Sequence, residues 1–322
     1  MTDFVALFPG QGSQSIGMMQ NLTSNPLIKK TFDEASDILN TNFWDMVNIE
    51  NTDINQTINT QPLMLAAGIA TWRVLEENNI NYPSFAAGHS LGEITALVAA
   101  KVFSFENGLH IVKKRAELMQ NAVPNDEGAM AAILGLKDSE VINICNNLEE
   151  KGVIEAVNFN SPGQVVVAGE KIIIDTSLEI FKEAGAKRAI ILPVSVPSHC
   201  SLMKEAAIEF KEFLSTIRFL KPIFPVVQNF EAIPYDDEQK IKDGLFHQLF
   251  NPVRWTQSME FMSEKKLNIF LEIGPGKVLT GLSKRNNRDS KNISIDSMES
   301  IENFKEISLI TQKRLGKNEY SK

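Results

Sequence analysis

The chain has 322 residues, of which 43% are hydrophobic and 22% charged, with a formal net charge of −8; that is enough for a substantial core, in one large domain or two ordinary ones. The negative balance argues against nonspecific nucleic-acid binding, and no apolar stretch approaches the ~20 residues of a membrane span. Two cysteines, Cys145 and Cys200, make no disulfide framework and suit a reducing cytoplasm, while four histidines without a C-x-x-C or H-E-x-x-H run leave no metal site expected.

The opening FVALF (residues 4–8) reads as a buried first strand running into the glycine-rich loop PGQGSQ rather than as a signal peptide. Residues 62–79 (PLMLAAGIATWRVLEENN) predict an apolar helix that starts at Pro62. A strand, a tight turn and a helix follow over residues 85–101, then a helix from about Glu106 to Ala122. Residues 128–193 read as strand, helix, strand, strand, helix, strand, the βαββαβ order of ferredoxin-like domains. Downstream, NIFLEIGPG (268–276) is a strand with a Gly-Pro-Gly turn into the helix KVLTGLSKR, and NISIDSM (292–298) is a last strand before a final helix. Gly274-Pro275-Gly276-Lys277 lacks the Ser or Thr that completes a P-loop. Alternating strands and helices imply a parallel, doubly wound α/β core. The expected layout is a discontinuous core of residues 1–125 and 197–310, an inserted small domain of 126–196, a tail of 311–322, and a ligand cleft between core and insert.

Ser90, in GHSLGE (88–93), admits two physical readings. It is the N-cap of a capping box closed by Glu93, or Gly88-His89-Ser90-Leu91-Gly92 is a nucleophile elbow that holds its hydroxyl out for attack. A cap needs no flanking glycines, whereas the elbow brings backbones too close for side chains. In ENGLHIVKKRAELMQ, the helical neighbours of Arg115 are Ile111, Val112, Leu118 and Met119, so an arginine projects from an apolar stripe. It needs an anion there, either a core Asp or Glu or the carboxylate of a substrate, which a guanidinium grips bidentately. A serine also needs a base. His89 is next to Ser90 and diverges from it, and His110 is offset from the Arg115 face. His199 sits where a strand gives way to a helix at the hinge back into the core, as a cleft-facing base or as a satisfied core histidine. Cys200 beside it reads as a small buried hydrophobe.

FPGQGSQ (8–14), GHSLGE (88–93), KKRAELMQ (113–120), NSPGQVVVAG (160–169), VPSHC (196–200) and QLFNPVRW (248–255) occur together and in order. From about residue 4 to about 310 the chain thereby resembles the malonyl-CoA:acyl carrier protein transacylases of bacterial type II fatty-acid synthesis. The resemblance implies an α/β-hydrolase-like core with an inserted ferredoxin-like subdomain. It makes Ser90 the acylated nucleophile, His199 its general base and Arg115 the clamp for the malonyl carboxylate. It puts the oxyanion hole at the backbone N–H groups of Gln11 and Leu91, and gives Gln248 a carbonyl that orients the histidine in place of a triad acid. Asn160 corresponds to a pocket-lining polar residue, although Asn before Ser-Pro-Gly is also a plain turn residue; Met119 joins it in the pocket.

The implied reaction is two-step acyl transfer from malonyl-CoA to the phosphopantetheine thiol of acyl carrier protein, with ping-pong kinetics and no cofactor. Carrier protein is acidic, so a local basic patch is expected to steer it: Lys284 and Arg285, within a segment (277–291) read as basic against Asp289 alone, and Lys187 with Arg188 in the small domain. Three rivals stand beside this reading. A serine esterase or thioesterase has no need of Arg115, a transacylase for acetyl or longer chains would replace it by an apolar residue, and a non-catalytic carrier-binding module would lack Ser90 or His199.

Overall fold

The computed structural model describes residues 3–124, 126–194 and 196–307; the expected 311–322 tail lies outside them. In chain order the elements are β1 (Val5–Phe8), α1 (Pro26–Leu39), α2 (Phe43–Asn48), α3 (Thr57–Glu77), β2 (Phe85–Gly88), α4 (Leu91–Ala99) and α5 (Phe105–Asn121). Then come β3 (Gly128–Leu134), α6 (Asp138–Leu148), β4 (Ile154–Ser161), β5 (Gln164–Glu170), α7 (Lys171–Glu183) and β6 (Arg188–Ile191). The chain continues through α8 (Lys204–Ser215), β7 (Val226–Val227), α9 (Glu238–Gln248), α10 (Trp255–Glu264), β8 (Ile269–Ile273), α11 (Val278–Asn286) and β9 (Lys291–Ile295), and residues 298–307 are helical.

Two sheets result. A parallel sheet runs β7-β2-β1-β8-β9, and its central strand β1 is buried throughout, as a strand covered on both faces must be. A separate antiparallel sheet runs β4-β5-β3-β6 and is drawn entirely from residues 128–191, as the βαββαβ reading predicted. Each has its own core: Ile133, Val141, Val165, Ile174 and Phe181 under the antiparallel sheet, and a larger cluster around Phe8, Phe32, Ile94 and Phe210. Strand β4 also bonds the segment before α10, where Phe159 N–H donates to the Val253 carbonyl (3.0 Å) and Val253 N–H to the Val157 carbonyl (2.8 Å).

The helix expected to start at Pro62 starts five residues earlier, at Thr57, with Pro62 inside it. Proline removes only the hydrogen bond that would reach the Ile58 carbonyl, and the unbroken burial of Thr60 to Trp72 in α3 offsets that loss. Asn160 lies in β4 rather than in the turn beyond it.

The site is positioned by β1 and β2 together, which pair in register from Val5–Phe85 to Phe8–Gly88 and so bring the loop after β1 against the turn after β2. Gly10 and Gly92 permit this contact. A Cβ on Gly10 would overlap the His89 carbonyl oxygen, and one on Gly92 would overlap the Phe8 carbonyl oxygen. Gly92→Ala must therefore push the two backbones apart, and should cost about 3 kcal/mol of stability. A urea midpoint equal to that of the unsubstituted protein would contradict this packing account.

Candidate active site

Ser90 stands between β2 and α4 with φ 53° and ψ −111°. That conformation is strained for a non-glycine residue, and it bears against the capping-box reading of GHSLGE. An N-capping side chain requires an extended backbone; Ser90 precedes the helix without capping it, so the expected Ser90–Glu93 capping box does not form. The backbone is held from outside instead. Asn229, just after β7, accepts the Ser90 N–H on Oδ1 (2.7 Å) and donates Nδ2 to the Gly88 carbonyl (2.7 Å).

The freed hydroxyl meets two of the expected residues. Its Oγ lies 2.8 Å from His199 Nε2 and accepts from Arg115 Nη2 at 3.1 Å. His199 Nδ1 lies 2.6 Å from the Gln248 carbonyl oxygen. A carbonyl can only accept, so Nδ1 carries the ring proton and Nε2 faces Ser90 as an acceptor. Burial, with the Arg115 charge second, pushes the His199 pKa down to about 3, so the imidazole is neutral at physiological pH. His89 plays no part in that pair: its Nε2 is 2.7 Å from Asn160 Oδ1 and its ring packs on Trp255. His110 is exposed. Cys200 is fully buried, donates Sγ–H to the Pro197 carbonyl, and has its thiol pushed up to about 12 by burial, which leaves it inert as a nucleophile.

Arg115 is fully buried and makes no ion pair among the described residues. It donates Nη1 to Gln61 Oε1 (2.8 Å) and Nη2 to Gln248 Oε1 (2.9 Å) and Ser90 Oγ, while Nε has no partner. The core salt bridge that would have made this arginine structural is not formed among these residues. Gln61, buried in α3, in turn donates Nε2 to Met119 Sδ at 3.6 Å.

Gln11 follows Gly10 in the loop that packs on His89, and Gln11 Nε2 donates to Thr57 Oγ1 at 3.3 Å. Leu91 is the first residue of α4, so its N–H has no acceptor within the helix. Of the basic residues read as a docking patch, Lys187, Arg188, Lys284 and Arg285 are exposed, and Arg285 donates from α11 to Gln164 Oε1 at the start of β5. Lys277 is paired with Asp296 at 2.9 Å, so the 277–291 segment is less basic than its own sequence suggests. Gln61, Asn229 and the side chain of Gln248 were not foreseen as elements of the site. Gln61 had a signal, as a polar residue entering an apolar helix; Asn229 had none.

A serine and neutral histidine in contact, beside a buried arginine without a carboxylate, define a serine acyltransferase or hydrolase site. The acyl transferase domain model matches residues 5–307. The chain is 46% identical over 287 residues to the malonyl CoA-acyl carrier protein transacylase of Salmonella typhimurium, covering 88% of this chain and 93% of the relative. An acyl carrier protein S-malonyltransferase from Vibrio cholerae superposes with a TM-score of 0.91 at 45% identity, covering 94% of this chain and all of the other. A malonyl-transacylase solved with a type II PKS acyl-carrier protein superposes with a TM-score of 0.92 at 45% identity, covering 93% and 98%. The chain belongs to the acyl transferase domain family, among the malonyl CoA-acyl carrier protein transacylases.

The depressed His199 pKa has a consequence for stability. An unfolded imidazole titrates near 6.5, above the folded value, so the unfolded chain binds more protons between the two. The contribution of His199 is full above about pH 6.5 and is lost as pH falls towards 3. Replacing it in His199→Asn should flatten the loss of urea stability between about pH 6 and 4. An unchanged slope would show that the ring is not held neutral.

Proposed function

We propose that the chain moves a malonyl group from malonyl-CoA to the phosphopantetheine thiol of acyl carrier protein through a malonyl ester on Ser90. The observation that carries this is the contact of Arg115 with Ser90 Oγ, in a place where no carboxylate of the described residues touches the arginine. The malonyl carboxylate lies one methylene from the carbonyl that Ser90 attacks, so a guanidinium touching Oγ is within reach of that carboxylate and grips it. An acetyl group offers it nothing, which sets this reading apart from a transacylase for neutral acyl groups. A hydrolase has no use for the arginine, and a non-catalytic carrier-binding module has none for a paired Ser90 and His199.

In the first half-reaction His199 Nε2 takes the Ser90 hydroxyl proton as Oγ bonds to the thioester carbonyl carbon. The oxyanion is held by the Gln11 and Leu91 N–H groups, each worth roughly 3–4 kcal/mol to the transition state. The C–S bond then breaks, and the leaving sulfur takes the proton from the imidazolium to depart as the free thiol. In the second half-reaction the carrier thiol gives its proton to His199 as its sulfur bonds to the ester carbonyl carbon; the C–Oγ bond then breaks, and the imidazolium returns the proton to Ser90 Oγ. The Gln248 carbonyl keeps Nδ1 protonated throughout, as the acid of a triad would. Asn160 and Met119 line the pocket. Each transfer balances without metal or redox cofactor.

The fold reading is finer than two sheets. The antiparallel order β4-β5-β3-β6 with two helices supports a ferredoxin-like subdomain of residues 126–196, and the parallel sheet with its strained serine turn supports an α/β-hydrolase-like core of 1–125 and 197–310. Both cysteines are free, which suits the cytoplasm, and no helix among the described residues is long and apolar enough to cross a membrane.

Intact-mass measurement after brief incubation with malonyl-CoA tests the reading. A malonyl adduct is expected on the wild type and not on Ser90→Ala, with Arg115→Ala losing at least 100-fold in malonylation rate. An equal adduct from acetyl-CoA would make the arginine structural. The exposed Lys187, Arg188, Lys284 and Arg285 form the carrier-docking surface in this account. Charge reversal in a Lys284→Glu, Arg285→Glu double variant should raise the KM for carrier protein about tenfold at low salt, with the malonyl-CoA KM unmoved. An unchanged carrier KM removes the docking surface.

A further inference from the structure

Glu93 is fully buried in the first turn of α4, and the mechanism leaves its carboxyl unused. Its Oε2 accepts from the Asn229 N–H (2.9 Å) and from Gln248 Nε2 (2.8 Å), while Oε1 is buried with no hydrogen-bond partner. Asn229 holds the backbone of Ser90. Gln248 holds the ring of His199 on its carbonyl and the guanidinium of Arg115 on its side chain. Glu93 therefore reaches each of the three reacting groups through one intervening residue. It is also the carboxylate whose field acts on Arg115, which no acid touches directly. The other fully buried acid among the described residues, Glu272, has an ordinary explanation, since it accepts from the Leu279 and Thr280 N–H groups at the start of α11.

Resting on the malonyl-transfer reading, we propose that Glu93 is a positioning residue and the resident counter-charge of Arg115. As a carboxylate it holds Asn229 and Gln248 in the unacylated protein, and it takes up a proton when a malonyl carboxylate engages the guanidinium. Two carboxylates sharing one guanidinium in a dry site leave an uncompensated negative charge, and protonating one restores the balance. The malonyl carboxylate is the stronger acid of the two. Burial already pushes Glu93 up to about 7, so a second anion need raise it only slightly further for the proton to bind. Oε1 is the oxygen open to carry it.

The elements packed around Glu93 carry the following charged and titratable groups. Arg115 comes from α5, whose Lys113, Lys114 and Glu117 turn partly to solvent. Burial lowers both His199 and His89. Strands β1, β2 and β7 carry no titratable side chain. In α3, Arg73, Glu76 and Glu77 fall in its last turns, with Arg73 paired to Glu34. In α9, His247 is stacked on Phe230. Acylation itself exchanges a hydroxyl and a thioester for an ester and a thiol, with no net proton, so uptake on loading reports the site.

The sign follows from linkage. A pKa raised by the bound anion makes malonyl binding tightest below about pH 7 and weaker as pH rises through it. The test loads the protein with malonyl-N-acetylcysteamine thioester, which has no titrating phosphate, in weak buffer at about pH 7.5 with a pH indicator. The wild type should take up a fraction of a proton per adduct, with a KM that rises several-fold between about pH 6.5 and 8.5. Glu93→Gln should take up none and show a flat KM. A wild type that acylates without uptake, or a Glu93→Gln protein with the same uptake, overturns the proposal. If Glu93→Gln does not fold, the infrared difference spectrum of the wild type decides, since loading must produce a carboxylic-acid band and its absence overturns the idea. A wild type that forms no adduct at all sinks the malonyl-transfer reading instead.

Discussion

A guanidinium placed in the protein interior without a touching carboxylate is the constraint around which this site is arranged. Removing such a charge from water costs several kcal/mol even after relaxation. Arg115 offsets that cost with neutral oxygens, those of Gln61, Gln248 and Ser90. Burial lowers its pKa to about 10, which still leaves it cationic at neutral pH. Neutral acceptors stabilise a cation less than a carboxylate would, so the arrangement keeps an appetite for an anion. A protein selected for stability alone would have closed that gap with an aspartate or glutamate. Here the nearest acid, Glu93, is held one residue away behind Gln248.

The scaffold serves that charge in two ways. The β1–β2 pairing and the glycines at 10 and 92 press one loop onto the other, which forces Ser90 into a strained conformation and aims its hydroxyl at His199 and Arg115. Strain of this kind costs of order 1–3 kcal/mol and persists only where the surroundings over-determine it. Asn229 supplies that determination, with one side-chain bond on each side of the turn. Gln248 then ties the histidine to the arginine, since its main chain fixes the imidazole tautomer and its side chain fixes the guanidinium. A backbone carbonyl rather than a carboxylate meets His199 Nδ1, so no second full charge touches the imidazole.

Much of this was legible from residues alone, for definable reasons. The serine turn announced itself because close backbone approach demands glycine, and Arg115 because a charge on an apolar helical stripe violates the burial rule. The βαββαβ order was readable because each element there has a clean period and a marked turn. What escaped was of two kinds. Helix α3 started earlier than its proline because tertiary burial outweighed the local signal. Gln61, Asn229 and Glu93 became site residues only through contacts that join positions up to 155 apart, as between Gln248 and Glu93, which no local pattern encodes. GHSLGE even offered a false local explanation for Glu93, since Ser-x-x-Glu matches a capping box that the strained Ser90 backbone cannot form.

The account turns on Ser90 as a waypoint for the acyl group rather than a bystander to it. The most direct measurement is single-turnover transfer from malonylated protein, freed of coenzyme A by gel filtration and mixed with holo acyl carrier protein. The account predicts that malonyl-carrier protein appears, and the ester on Ser90 disappears, at one rate at least as fast as steady-state turnover. Release of free malonate instead, or transfer far slower than turnover, would contradict it and return the protein to the hydrolases.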